Sequence, residues 1–279
     1  TTDIGAPTSD FRPRTIDHRP STMSQIPNHK IYGEEHSKTI IILHGVFGML
    51  DNWHLAAKAL SETHRVITYD TRNHGKSFHD NDCSYQAMSN DLLNLMEELN
   101  IEDAFILAHS MGGKTAMLFA DQHPQKVIKL IPVDIAPKAY HAGHLEYIQA
   151  FKSIDFSKIQ SRKEADDAFL PFAPILGVRQ FLLKNLEVNP TGGYQLKINI
   201  NAIENHYYDI IGGLNFQNVF SGETHFILGE KSGYLKESDK PYIEKHFPNS
   251  QYHTISKAGH WVHADNPLEF LQVVKEIID

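Results

Sequence analysis

A chain that must pass from strand to helix within one residue has few folds open to it, and residues 105–115 make that demand. The apolar run Phe105-Ile106-Leu107 leads into Ala108-His109-Ser110-Met111-Gly112-Gly113, and a helical pattern follows at once through Lys114, Thr115 and Ala116 to Ala120. A single sharp turn between strand and helix puts its middle residue at the apex. With serine there, the hydroxyl is held clear of the sheet, the geometry of a nucleophile elbow. Such a turn needs small residues two before and two after the serine, because the two backbones pass close together. Gly112 meets that need, and Ala108 stands where a glycine is usual, adding one methyl group.

Two other readings of the same letters stand beside this one. Ala108 to Thr115 nearly spells the phosphate-binding loop G-x-x-x-x-G-K-[ST], which also joins a strand to a helix. Leu130-Ile131-Pro132-Val133-Asp134 would then supply the strand and the magnesium-holding aspartate of a nucleotide hydrolase. The first glycine of that loop is missing. In the plainest reading, Ser110 is an exposed turn serine with no chemistry.

The size of the chain sets bounds on these choices. With 279 residues, 41% of them apolar, it can bury a large core, and one α/β domain with an inserted cap is expected rather than two equal domains. A net charge of −8 without basic blocks argues against nucleic acid or an anionic membrane as the main partner. The lone Cys83 rules out an internal disulfide and fits a reducing, cytoplasmic setting. Neither paired cysteines nor a His-Glu-x-x-His pattern points to zinc, so no metal and no cofactor are expected. The 18 histidines are scattered mostly on polar stretches and are expected to face solvent. No apolar run reaches the roughly 20 residues of a membrane span. Residues 1–23 are polar, rich in Pro, Arg and Thr, and lack the apolar core of a secretory signal. They read as a non-native leader or a loose arm ahead of a natural start at Met23. No internal repeat is present, and the sequence does not set the oligomeric state.

Taken in order, His29 to Tyr32 and Lys38 to Leu43 read as strands, the second continuously apolar as a strand buried on both faces should be. It runs into His44-Gly45-Val46-Phe47-Gly48, a turn able to point backbone N–H groups at a ligand. The candidate donors for a developing oxyanion are the N–H groups of Val46 and Met111, with Phe47 the alternative to Val46. A purely structural loop is the competing reading. A helix is expected over Asp51 to Leu60 with Trp53, Leu55, Ala56 and Ala57 inward. A strand follows from Arg65 to Tyr69, then the polar run Asp70 to Ser77, whose side chains can bond nearby backbone and brace the loops, His74 included. Tyr85 to Leu99 carries Met88, Leu92, Leu95, Met96 and Leu99 at helical spacing, the methionines as core filling.

After the elbow helix comes the buried strand Val127 to Val133, ending at Asp134. Strands alternating with helices predict a parallel sheet with helices on both faces, whose working residues lie at the carboxyl ends of strands. Ser110 and Asp134 both fall on that edge. Residues 138–220 break the rhythm with a helical pattern rich in aromatics and are expected to form a cap over it. Phe47, Tyr207 and Trp261 are the candidate pocket residues, although any one aromatic in the cap also serves as packing. The rhythm resumes with Thr224 to Leu228, a helix near Tyr242 to His246, a strand Gln251 to Ile255 and a last helix from Pro267. His260 sits in the loop after the final strand, behind Gly259, and is the candidate base. His263 is its local competitor, read instead as part of the approach to the last helix.

Together these segments resemble the α/β-hydrolase superfamily, and more narrowly the YbfF-type bacterial esterases and their α/β-hydrolase-domain-11 relatives. The resemblance rests on His44-Gly45-Val46-Phe47-Gly48 with Leu50-Asp51-Asn52, on Asp70-x-Arg72-Asn73-His74-Gly75-x-Ser77, on His109 to Lys114, on Asp134-Ile135-Ala136-Pro137 and on Ala258-Gly259-His260-Trp261-Val262-His263. It implies an α/β-hydrolase fold with residues 24–137 and 221–279 as core and 138–220 as a helical cap inserted after the sixth strand. It further implies a serine esterase acting on short- to medium-chain carboxylic or thioesters, with a small-molecule acyl ester as its partner. Most of the superfamily carries the acid one strand later, where Ser232 stands here; the YbfF-type group uses the aspartate of Asp-Ile-Ala-Pro instead, so the resemblance puts the acid at Asp134. Glu230 and Asp239 are the rivals. A receptor that keeps the fold without turnover is the alternative function.

Overall fold

The computed structural model describes residues 25–279; the expected leader at 1–23 lies outside them. In chain order, β1 (His29–Tyr32), β2 (Thr39–Leu43), α1 (His54–Leu60), β3 (Arg65–Tyr69) and α2 (Tyr85–Glu98) come first. Next are β4 (Ala104–His109), α3 (Met111–Gln122) and β5 (Val127–Val133). The following segment holds α4 (Leu145–Ser153), α5 (Arg162–Phe169), α6 (Leu176–Leu183), a small hairpin of β6 (Leu186–Val188) and β7 (Tyr194–Leu196), then α7 (Ile200–Asn205) and α8 (Tyr207–Ile211). The chain closes with β8 (Glu223–Gly229), α9 (Lys240–His246), β9 (Ser250–Ile255), α10 (Val262–Asp265) and α11 (Pro267–Ile278).

The main sheet runs β1-β3-β2-β4-β5-β8-β9. Only β1 is antiparallel; every other neighbouring pair is parallel. The Thr39-Ile-Ile-Ile-Leu43 run explains the centre. All of its side chains are buried, and alternate ones serve opposite faces. Ile41 and Leu43 join the core under α2 and α3, with Met88, Met96 and Met117. Ile40 and Ile42 join the core under α1 and α11, with Trp53, Phe270 and Val274. A sheet covered on both faces has no polar side to spare, which is why its strands read as unbroken apolar runs.

The strand order fixes where a ligand can sit. β3 lies to one side of β2 and β4 to the other, so the loops leaving β2 and β4 part at the carboxyl edge and open a crevice between them. His44-Gly45 leaves one strand and Ser110 the other.

Three expectations need correction. The helical segment follows β5, the fifth strand in chain order of the described residues, not the sixth; no earlier strand is formed among them. Leu55 points out and is 76% exposed, because a 3-10 turn at Leu50–Trp53 rotates the start of α1 so that Ala56, Ala57 and Leu60 face inward instead. The segment is also not purely helical, since β6 and β7 pair as an antiparallel hairpin. Among the described residues no helix is long and apolar enough to cross a membrane.

Candidate active site

Ser110 is the point at which β4 breaks into α3. It adopts φ 52° and ψ −118°, a region that costs a side-chain-bearing residue of the order of 1–3 kcal/mol. The neighbours hold it there: its N–H donates to Val133 O on β5 (3.1 Å), and its carbonyl accepts from the N–H of Lys114 (3.1 Å). The demand for small residues is visible at Gly112, where an added Cβ would lie 2.7 Å from both His44 O and Leu43 Cβ. Ala108 is wholly buried, so its methyl is accommodated in the core.

The side chains of Ser110, His260 and Asp134 lie in a line. The Ser110 hydroxyl donates to His260 Nε2 (3.2 Å), and His260 Nδ1–H donates to Asp134 Oδ2 (2.7 Å). Asp134 is buried, also at a positive φ of 51°. Its second oxygen accepts from the Gly229 N–H (3.1 Å), and Oδ2 accepts again from the Ser232 hydroxyl (2.5 Å). Ser232 thus occupies the place where the acid would be sought and instead donates to the carboxylate from the neighbouring strand. Glu230 and Asp239 are engaged elsewhere: Glu230 accepts from the Lys257 N–H, and Asp239 from Lys138 and the Lys236 N–H. The Tyr234 ring stacks on the His260 ring at 3.7 Å, and His109 Nε2–H donates to the His260 carbonyl (2.8 Å). Neither brace stood out in the sequence. Residue 234 follows Gly233 in an ordinary turn, and His109 reads as part of the elbow.

The loop after β2 is fixed from three directions. His74 Nδ1–H donates to Arg72 O, leaving Nε2 to accept the Phe47 N–H (3.2 Å). Asn185, buried at the end of α6, donates to Phe47 O (2.8 Å). His44 Nδ1–H donates to Gly45 O, and its Nε2 accepts the Thr71 N–H (3.0 Å). These bonds hold Phe47 at a positive φ of 60°. They also take the Phe47 N–H out of contention as an oxyanion donor. The N–H groups of Val46 and Met111 have no protein acceptor among the described residues. The polar run after β3 acts as the brace its residue types suggest. Asp70 accepts from the N–H groups of Leu50 and Lys76, and Arg72 forks Asp91 on α2 at 2.6 and 2.7 Å.

The histidines overturn the solvent-facing expectation. His44, His64, His74, His109 and His225 are buried, and His44, His109, His260 and His263 border one cavity. Burial pushes His44 down to about 4 and, with help from His44, His74 down to about 3. Burial likewise holds His109 well below its ordinary value and His263 down to about 3. These rings stay neutral because burial strips the charged imidazolium of water, which outweighs the carbonyl hydrogen bonds that favour protonation at His44, His74 and His109. Among the described residues, no group of three or more His, Cys, Asp or Glu is arranged to hold a metal ion.

The cavity is about 580 Å³, within the usual range for a drug-sized ligand, and opens beside Ser110. Phe47 and Trp261 line it, with Tyr147, Val178, Phe181 and Leu182. Tyr207 does not. It is buried behind the wall, where its hydroxyl accepts the His144 N–H (2.9 Å) and meets His144 Nδ1 (3.3 Å). His144 is the residue that reaches the cavity.

Lys114 disposes of the phosphate-loop reading. Its Nζ is buried, donates to Gly212 O (2.5 Å) at the end of α8 and lies 4.8 Å from the Tyr140 ring centre. Burial pushes it down to about 7. It clasps the segment after β5 to the elbow helix, so no anion-binding loop surrounds it, and the aspartate needed for magnesium is bonded to His260.

A parallel sheet with this crevice, and a serine at a strained strand–helix turn beside a buried histidine and carboxylate, define a hydrolase of the α/β type. The chain belongs to the α/β-hydrolase family, whose alpha/beta hydrolase fold model matches residues 38–267, and within it to the YbfF/ABHD11-like group. It is 38% identical over 250 residues to the sn-1-specific diacylglycerol lipase ABHD11 of Danio rerio, covering 87% of this chain and 78% of that protein. It is 32% identical to esterase YbfF of Escherichia coli, over 88% of this chain and 95% of the other. A solved marine microorganism esterase superposes with a TM-score of 0.88 at 40% identity, covering 91% of this chain and 99% of that one.

Proposed function

We propose that this protein hydrolyses carboxylic or thioesters of short to medium acyl chain through an acyl-enzyme on Ser110, with His260 as base and Asp134 as acid. The observation that carries this reading is the unbroken hydrogen-bond line from the Ser110 hydroxyl through His260 to the buried Asp134 carboxylate. His260 Nε2 takes the hydroxyl proton as Ser110 attacks the acyl carbonyl. The oxyanion that forms meets the N–H groups of Val46 and Met111; such donors contribute roughly 3–4 kcal/mol each in comparable sites. Asp134 keeps the proton of the resting imidazole on Nδ1 and stabilises the imidazolium. His260 then gives Nε2–H to the leaving alcohol or thiol, and water repeats the cycle on the acyl-enzyme.

Residues 138–220 act as a cap in this scheme, contributing Phe181 and Leu182 to the acyl pocket. The cavity volume suits one short or medium chain at a time. Relatives named diacylglycerol lipases make a glycerol ester a reasonable member of the test panel. The buried, unpaired Cys83 is consistent with a cytoplasmic setting.

The test is a panel of esters and thioesters of graded acyl length, together with a serine-reactive phosphonate mapped by peptide mass. Label on Ser110 and steady turnover are expected. Ser110→Ala and His260→Ala should each lose at least about 10³-fold in kcat while circular dichroism is unchanged. Label on another serine, or turnover that survives Ser110→Ala, would overturn the proposal.

A further inference from the structure

His144 has no part in the chemistry above, yet it is placed like a ligand-reading group. It lies just before α4, on the wall of the cavity facing the Phe47 ring, with ring centres 6.1 Å apart. Two bonds fix its orientation. Its own N–H donates to the buried Tyr207 hydroxyl, and that hydroxyl, having accepted, has its proton free for His144 Nδ1. Since Nδ1 accepts, the ring proton belongs on Nε2. Nε2 has no protein partner among the described residues, and the half-buried residue borders the cavity. A donor without a protein partner on the wall of a largely apolar cavity leaves a hydrogen bond for the ligand to complete.

We propose that His144 is a specificity residue whose Nε2–H donates to a second oxygen of the substrate, beyond the scissile carbonyl. The site then favours esters that carry a hydroxyl, ether or further carbonyl oxygen near the reacting bond over all-carbon esters of the same size. This rests on the esterase reading above. Burial, followed by the nearby His260, pushes His144 down to about 4, so it acts as a neutral donor and does not compete for the Ser110 proton. Tyr207, expected to line the pocket, serves it from behind by fixing the tautomer.

The experiment compares three esters matched in heavy atoms: one all-carbon, one with an ether or hydroxyl oxygen in the alcohol, and one with an oxygen in the acyl chain. Whichever oxygenated ester reaches His144 should exceed the all-carbon one in kcat/KM by about three- to tenfold, the range of one net neutral hydrogen bond. His144→Phe keeps the ring and loses the donor, so the kcat/KM ratio of that oxygenated ester to the all-carbon one should collapse to within about twofold. His144→Gln, which retains an N–H, should restore part of it. Tyr207→Phe, which removes the bond that fixes the tautomer, should lower the same kcat/KM ratio. The alcohol and acyl arms tell which part of the substrate is read. Equal losses on all three esters in His144→Phe would mean a structural role and overturn the inference, as would a wild-type enzyme that hydrolyses all three without discrimination. A wild type that hydrolyses none, with Ser110 unlabelled, would instead remove the esterase reading beneath it.

Discussion

The buried histidines make the fold acid-labile by an amount that can be worked out. His44 is pushed down to about 4, and His74 and His263 to about 3, against an ordinary value near 6.5. Between the folded and unfolded values, the unfolded chain holds a proton that the folded chain refuses. Stability therefore rises with pH through this window and is lost as pH falls below about 6.5. The slope approaches roughly 1.4 kcal/mol per pH unit for each ring. From pH 7 to pH 5, His44 and His74 should each remove roughly 1.8 kcal/mol. His263 is only half-buried because its ring edges the cavity, and its share is discounted to roughly 1–1.5 kcal/mol. The sum of about 5 kcal/mol is a large part of the roughly 5–15 kcal/mol that holds a typical domain together. Urea unfolding followed by circular dichroism at pH 7, 6 and 5 measures it. The decisive variant is His263→Phe. The His263 ring stacks on Trp53 at 4.0 Å, and its Nδ1 is buried without a partner among the described residues, so phenylalanine keeps the stack and abandons no hydrogen bond there. The stability difference between pH 7 and pH 5 should shrink by about 1 kcal/mol or more in that variant. An unchanged difference, or a parent equally stable at both values, would refute the reasoning.

Other outcomes follow from the same geometry. Asp134→Asn should cut kcat by roughly 10³–10⁴-fold, since the amide favours the wrong imidazole tautomer. Ser232→Ala, which leaves the carboxylate bonded to His260 and Gly229, should cost less than about tenfold in kcat, and Glu230→Gln should match the parent. Gly112→Ala must push a methyl against His44 O at 2.7 Å and should destabilise by about 2 kcal/mol with loss of turnover. Gly177→Ala on α6, with nothing within 4 Å, should be neutral or slightly stabilising in thermal melts. Lys114, pushed down to about 7 by burial, is charged in the unfolded chain up to about 10.5. The parent should therefore gain on Lys114→Met by roughly 2 kcal/mol in urea unfolding between pH 7 and pH 9.

How much could be read in advance differs from residue to residue. Ser110 was legible because a strand, a tight turn and a helix are local patterns, and Gly112 marks where two backbones must touch. The core methionines of α2 were legible from helical spacing. Leu55 was not, because one turn of 3-10 helix shifts the phase of the α-helix it leads into. The histidines misled because polar neighbours in sequence do not make polar neighbours in space; His44 and His74 reach buried backbone donors from loops that fold over each other. Tyr207 supports the wall from behind rather than forming it, a distinction of a few ångströms that no pattern carries.

The sequence by itself determined the elements and their order: an apolar strand feeding a glycine turn, a serine at a strand–helix break, an acid and a histidine each just past a strand. Those follow from backbone sterics and from periodicities spanning a dozen residues. Which carboxylate meets His260 was decided only in three dimensions, where β5, β8 and β9 lie side by side and the loops leaving β5 and β9 bring residues 126 positions apart to 2.7 Å. Asp134, Glu230 and Asp239 are chemically interchangeable as letters. Hydrogen bonding acts over about 3 Å, so strand order and loop direction, which no single segment encodes, select among them.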